Sequence, residues 1–169
     1  MKRFGILNHR LASAVTKMGH DDIMIVCDAG FPVDHNEADK VIDVSLVPGV
    51  PDLVTVLKAL RQELWVERLA MKEAAPSGNP RIYQAVQDVF PDALSGTMPN
   101  EWFHEDGYAA AKYIVRTAAW LPYGDVALWS GIPVAEWFES TGVAVPEEWS
   151  DRLAKNRTEG HKGVAVLER

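Results

Sequence analysis

Residues 23–27, Ile-Met-Ile-Val-Cys, carry no polar side chain and are bracketed by Asp21-Asp22 on one side and Asp28-Ala29-Gly30 on the other. A run this short, apolar at every position and flanked by turn-forming residues, has the pattern of a central strand covered on both faces. Such a strand needs material above and below it. This one segment therefore directs the chain toward a sheet with helices on two sides.

The remaining pattern agrees with that architecture. Over residues 8–18 the apolar side chains Leu11, Val15 and Met18 recur at helical spacing, Asn8 is a suitable N-cap and Gly19 a suitable stop. Residues 41–47 read as a strand. Pro48-Gly49-Val50-Pro51 is a turn, and a helix follows to about Leu64 with Val54, Leu57, Leu60 and Leu64 on one face. Residues 65–72 read as a strand and Pro76-Ser77-Gly78 as a loop. A helix over 80–90 is capped by Asn79 and closed by Pro91. Residues 92–104 fit no single pattern, 105–113 suggest helix, and 114–118 and 125–132 suggest strands around Pro122-Tyr123-Gly124. The expected fold is a three-layer α/β/α arrangement on a mostly parallel, mixed sheet of five or six strands. One domain spans 1–134, and 135–169 form a C-terminal extension packed on that domain or on a neighbouring subunit.

Charge narrows the partners. Seventeen basic residues against 24 acidic ones give a net charge of −7, and no Lys/Arg cluster offsets it locally. That balance disfavours nucleic acid and anionic membranes. No apolar run approaches the roughly 18–20 residues of a spanning helix. The single cysteine, Cys27, lies in the apolar strand and fits a reduced, buried thiol. A cytoplasmic protein acting on a small neutral ligand is the expectation.

His20 is the best acid/base candidate, because an imidazole both accepts and gives a proton near neutrality. Asp28, just past the strand, is its natural partner. The alternative is structural: His20 merely follows a helix, and Asp28 caps the next turn through the backbone at Gly30. His35 with Asp34, Asp39 and Asp43 lacks any HxH, HExxH or CxxC spacing, so no metal site is expected. Isolated glycines give no phosphate-binding loop. Pro122-Tyr123-Gly124-Asp125 is either a turn with a packed tyrosine or part of a ligand site, and open α/β sheets bind ligands beyond the carboxyl ends of their strands.

Met18-Gly19-His20-Asp21-Asp22, Cys27-Asp28-Ala29-Gly30-Phe31-Pro32, Ile42-Asp43-Val44-Ser45-Leu46 and Pro48-Gly49-Val50-Pro51 together resemble the D-ribose pyranase and L-fucose mutarotase family, and look closer to its ribose branch. The likeness resumes at Arg116-Thr117 and Pro122-Tyr123-Gly124-Asp125 and covers roughly residues 4–134. It implies interconversion of the cyclic forms of a monosaccharide with no cofactor or metal. His20 would move the proton and Asp28 would act beside it, with Tyr123, Gly124, Asp125 and His104 holding the sugar. It also implies a ring-shaped homo-oligomer, decamer-like, with sites near subunit contacts. Two departures stand out. The family's Tyr-x-Asn is Tyr123-Gly124-Asp125 here, and its second histidine aligns with Asn100 or Glu101, with His104 three or four residues on. A non-catalytic sugar-binding or transport-accessory protein is the other reading of the same residues.

Overall fold

Asn8 opens the first helix, its side-chain oxygen accepting from the N–H groups of Arg10 (3.1 Å) and Leu11 (3.0 Å) and so filling two donors that a helix start leaves open. The computed structural model describes residues 1–150 other than His35, Ser140 and Glu148. Helix α1 (His9–Lys17) buries Leu11, Ala14 and Val15. The turn after it is closed by the Gly19 N–H donating to Asp22 Oδ2 at 2.6 Å and leads into β1 (Ile23–Cys27). The strand β2 (Val41–Asp43) is shorter than expected, because Asp43 Oδ1 accepts from the Ser45 N–H (2.8 Å) and hydroxyl (2.6 Å), and this local bonding competes with the ladder.

Asp52 caps α2 (Leu53–Arg61) through the Thr55 N–H at 2.7 Å. Its core face is Leu53, Val56, Leu57 and Leu60, so Val54 is only half-buried, while Leu64 is buried beyond the helix end. Next come β3 (Val66–Lys72), the one-turn α3 (Ala75–Gly78) where a loop was expected, and α4 (Pro80–Val89), capped by Asn79. The ambiguous stretch resolves into β4 (Leu94–Met98) and α5 (Asn100–His104). Helix α6 (Asp106–Ala110) is shorter than its alanines suggest, since Ala111 and Tyr113 pair with β1 in β5 (Ala111–Arg116). Sheet pairing here overrides intrinsic helix preference. β6 (Val126–Ser130) completes the set.

The six strands form one mixed sheet in the order β2-β5-β1-β6-β3-β4. β1 pairs in parallel with β5, β5 with β2, and β3 with β4, whereas β6 lies antiparallel between β1 and β3. Five strands therefore run one way and β6 alone runs the other. Period-two alternation splits β1 between two cores. Met24 and Val26 pack in the layer with α1, α2 and α4; Ile25 and Cys27 face the layer holding Phe31 and Phe103.

This polarity creates two distinct rims. At one rim lie the carboxyl ends of β1, β2, β3, β4 and β5 together with the start of β6. The other rim holds the starts of those five strands and the end of β6. Contacts divide the chain into two compact units, Met1–Gly131 and Ile132–Arg169. In the second, Ile132 and Val134 are buried with Phe138, Val145 and Trp149 packed on them, around a π-helical turn at Ala135–Glu139. The rest of the expected extension, 151–169, lies outside the described residues, as does His35 of the acidic cluster considered above.

Candidate functional site

Asp28 leaves β1 at the carboxyl rim and is held by its own turn. Its Oδ1 accepts from the Gly30 N–H at 2.8 Å, which is the capping bond of the structural alternative. The Gly124 N–H faces its carboxyl group and favours the ionised form. A Cβ on Gly124 would come within 3.1 Å of the Asp28 Cβ, so glycine permits this close approach. The surrounding backbone is stitched tightly: the Thr117 N–H and hydroxyl both donate to the Cys27 carbonyl (2.9 Å each), and the Ala29 N–H donates to the Ala119 carbonyl (3.1 Å). Arg116 donates to the Ala29 carbonyl (2.6 Å) while its other arm meets Asp43 Oδ2 (2.8 Å).

Asp125, at the start of β6, is almost fully buried. Its Oδ1 accepts from the Asp28 N–H at 3.2 Å, and its Oδ2 lies 2.6 Å from Lys72 Nζ at the end of β3. Burial, and then the Asp125 carboxylate, push the Asp28 carboxyl above its ordinary value; the Gly30 N–H, the Lys72 charge and the Gly124 N–H pull back only in part. Lys72 Nζ also lies 3.5 Å from His104 Nε2, and the His104 ring stacks on Phe31 with centroids 5.0 Å apart. Asn100 and Glu101, the two alternatives for the second histidine, are exposed.

Tyr123 is held at φ 63°, a left-handed conformation unusual for tyrosine. Asn79 Nδ2 fixes this turn by donating to the Pro122 carbonyl at 3.1 Å. The ring packs partly buried on the core and lies directly over Gly78, where a Cβ would overlap it. Gly78→Ala is accordingly expected to leave the fold intact, since alanine favours helix, but to swing the Tyr123 ring away. Affinity for a ligand bound against this turn should fall roughly 10- to 100-fold; isothermal titration beside a thermal melt checks both halves of that expectation.

Asp28, Tyr123, Gly124, Asp125 and His104 thus gather at one rim. His20 does not join them. It precedes β1, and its Nε2 lies 3.0 Å from Glu67 Oε2 at the opposite rim. Five residues at about 3.3 Å each separate the two ends of β1, roughly 17 Å. Within one chain the carboxylate beside His20 is therefore Glu67, in place of the Asp28 that the eight-residue spacing suggested. The spacing measured the length of a strand.

Lys72 was missed by the sequence reading. Its signal was present: a lysine following the apolar Leu69-Ala70-Met71 closes its strand at the rim where α/β sheets bind ligands. Cys27 is wholly buried and burial pushes its thiol well up, so it packs and does not react. Among the described residues no three His, Cys, Asp or Glu side chains converge as a metal site would require, and no helix is long and apolar enough to cross a membrane.

A mixed-sheet α/β protein with a rim of acceptors, one ammonium, one imidazole and flanking aromatic rings has the makings of a site for a small hydroxylated ligand. The chain belongs to the RbsD / FucU transport protein family, whose model matches residues 1–133. D-ribose pyranase 1 of Streptomyces griseus is 39% identical over 153 residues, covering 90% of this chain and 100% of that protein. D-ribose pyranase 2 of Rubrobacter xylanophilus is 36% identical over 155 residues, covering 92% and 99%. These shares exceed what residues 1–134 can supply, so the likeness to these proteins continues beyond residue 134. Bacillus subtilis RbsD, solved in complex with D-ribose, superposes with a TM-score of 0.71 at 30% identity, covering 78% of this chain and 98% of that one.

Proposed function

We propose that this chain is a cofactor-independent pyranase or mutarotase that interconverts the cyclic forms of a ribose- or fucose-like monosaccharide, D-ribose before others, in the cytoplasm. The observation that carries the reading is the convergence of Asp28, Asp125, Lys72, His104 and the Tyr123 turn at one sheet rim in a chain whose relatives are D-ribose pyranases.

The chemistry needs proton transfer alone. A base takes the proton of the anomeric hydroxyl, an acid delivers one to the ring oxygen, and the bond between that oxygen and C1 breaks to give the open aldehyde. Reclosure on either face, or through another hydroxyl, yields the other forms. No electrons are exchanged, so side chains suffice. His20 is the proposed shuttle and Glu67 its orienting partner. Asp28 accepts from a sugar hydroxyl, and Tyr123 and Asp125 fix the ring.

His20 and Asp28 lie at opposite rims of one chain, so a site using both takes its His20 from a second copy. An apolar surface beside the Asp28 rim supports such a contact. Leu46, Val47, Val50, Trp120 and Leu121 are all exposed, and the 46–51 loop is joined to the 118–121 segment by Gly49 donating to Ala118 and Ala118 donating to Pro51. Exposed apolar side chains on neighbouring segments of a surface are the kind of feature an interaction site carries. A homo-oligomeric ring is the proposed assembly.

Saturation-transfer NMR of ribose anomers and ring forms is the test, and a chain that leaves the uncatalysed exchange rate unchanged would end the proposal. Asp28→Asn gives a sharper expectation. The amide still accepts from Gly30 but cannot ionise. Since the Asp28 pKa is raised on folding above its ordinary 3.8, its favourable contribution is full below that value and lost as pH rises through the folded pKa. At neutral pH the variant should therefore melt no lower than wild type, and its advantage should vanish below pH 3.8, while exchange slows. A lower melting temperature at neutral pH would contradict this.

A non-catalytic sugar-binding role is the second reading, favoured by the separation of His20 from the Asp28 rim within one chain. Saturable sugar binding with no gain in exchange would select it.

A further inference from the structure

Lys72 lies at the Asp28 rim, and neither the motif pattern nor packing requires a lysine there. It ends β3 with its side chain only 14% exposed, between the rings of Phe31 and Phe103, whose centroids lie 5.8 and 5.9 Å from Nζ. Burying an ammonium there is costly, and an ion pair such as Lys72–Asp125 generally contributes no more to stability than apolar residues of the same volume would. A buried pair of this kind at the carboxyl rim of an α/β sheet calls for a functional account.

The donor count supplies one. An ammonium has three N–H groups and no acceptor. One is taken by Asp125 Oδ2 at 2.6 Å, and a second faces His104 Nε2 at 3.5 Å, the outer limit of a hydrogen bond. One donor is left over, in a site whose other groups mostly accept. Asp28 and Asp125 as carboxylates accept only, so a sugar hydroxyl lying against them that needs to receive a hydrogen bond can take it from Lys72, the donor already paired with Asp125. Together Lys72 and Asp125 present a donor and an acceptor side by side, as one amide side chain would.

We propose that Lys72 contacts the substrate and sets specificity: paired with Asp125, its ammonium donates to one particular hydroxyl of the bound monosaccharide. The proposal rests on the sugar-site reading above. It also accounts for a carboxylate at position 125, because the lysine offsets the charge that two neighbouring acids would otherwise accumulate.

The experiment compares wild type, Asp125→Asn and the charge-neutral double variant Lys72→Met/Asp125→Asn, which leaves no buried charge unpaired. Each is titrated with D-ribose and with analogues each lacking one hydroxyl. In wild type, removal of one hydroxyl should weaken binding about 10- to 100-fold, the range for a hydrogen bond to a charged group. Asp125→Asn should bind every sugar more weakly but keep the ratio between ribose and that analogue, and the double variant should lose the ratio for that hydroxyl alone. A purely structural lysine would change affinity for all analogues alike. If the double variant folds, binds ribose and discriminates as Asp125→Asn does, Lys72 makes no such contact. If wild type binds no sugar at all, the site reading fails and this inference falls with it.

Discussion

Replacing His20 with alanine is expected to slow exchange between ribose ring forms by about 10²–10⁴-fold, the usual worth of one acid/base group. The fold should survive, because the side chain is 39% exposed and pairs with the carboxylate of Glu67. Saturation-transfer NMR measures the rate directly, and retention of the full rate would remove His20 from the mechanism. The geometry adds a second arm. His20 and Asp28 occupy opposite rims, so in the two-copy site proposed above His20→Ala and Asp28→Asn damage different halves. Co-expressed as mixed oligomers, the two variants should regain part of the rate, since some contacts then join an intact His20 to an intact Asp28. Mixed oligomers with no recovery would show that the two residues do not share a site across chains.

The second large effect concerns stability. Lys72→Met removes the partner of an Asp125 that is only 2% exposed as a side chain. Leaving a buried carboxylate unpaired should cost about 3–5 kcal/mol. Adding Asp125→Asn should recover most of that loss, because the amide needs no counter-ion. Urea denaturation of the two single variants and the double variant forms a complete cycle. The expected result is strong coupling, with each single change costing more than both together. Additive effects would mean that the ammonium and carboxylate do not depend on each other.

Much of the scaffold could be read residue by residue. The polar brackets around 23–27 define β1, Asn8 and Asn79 cap the helices they precede, and the turn around Tyr123 falls where its proline and glycine place it. Each of these is a local matter, decided by residues within a few positions of one another. The errors have a different origin. The strand over 41–47 stops at Asp43 because a side chain competes for the backbone, and the helix over 105–113 yields Ala111 to Tyr113 to strand pairing. In the latter case distant partners outweighed local preference.

The site divides in the same way. Asp28, Tyr123, Gly124 and Asp125 were linked as a set only by the family resemblance, since Pro122-Tyr123-Gly124-Asp125 read alone is as well explained as a turn; strand polarity places both motifs at one rim. His20 looked close to Asp28 because they are eight residues apart, but a five-residue strand lies between them. Lys72 had no motif at all.

By itself, then, the sequence determined the local elements, the two-sided burial of the central strand and the residue types available for proton transfer, because apolar periodicity and capping act over a few residues. Only the tertiary structure decided which charges meet. The antiparallel insertion of β6 between β1 and β3 brings Asp125 to both Asp28 and Lys72, and sends His20 to Glu67, since strand direction alone dictates the rim at which each residue emerges.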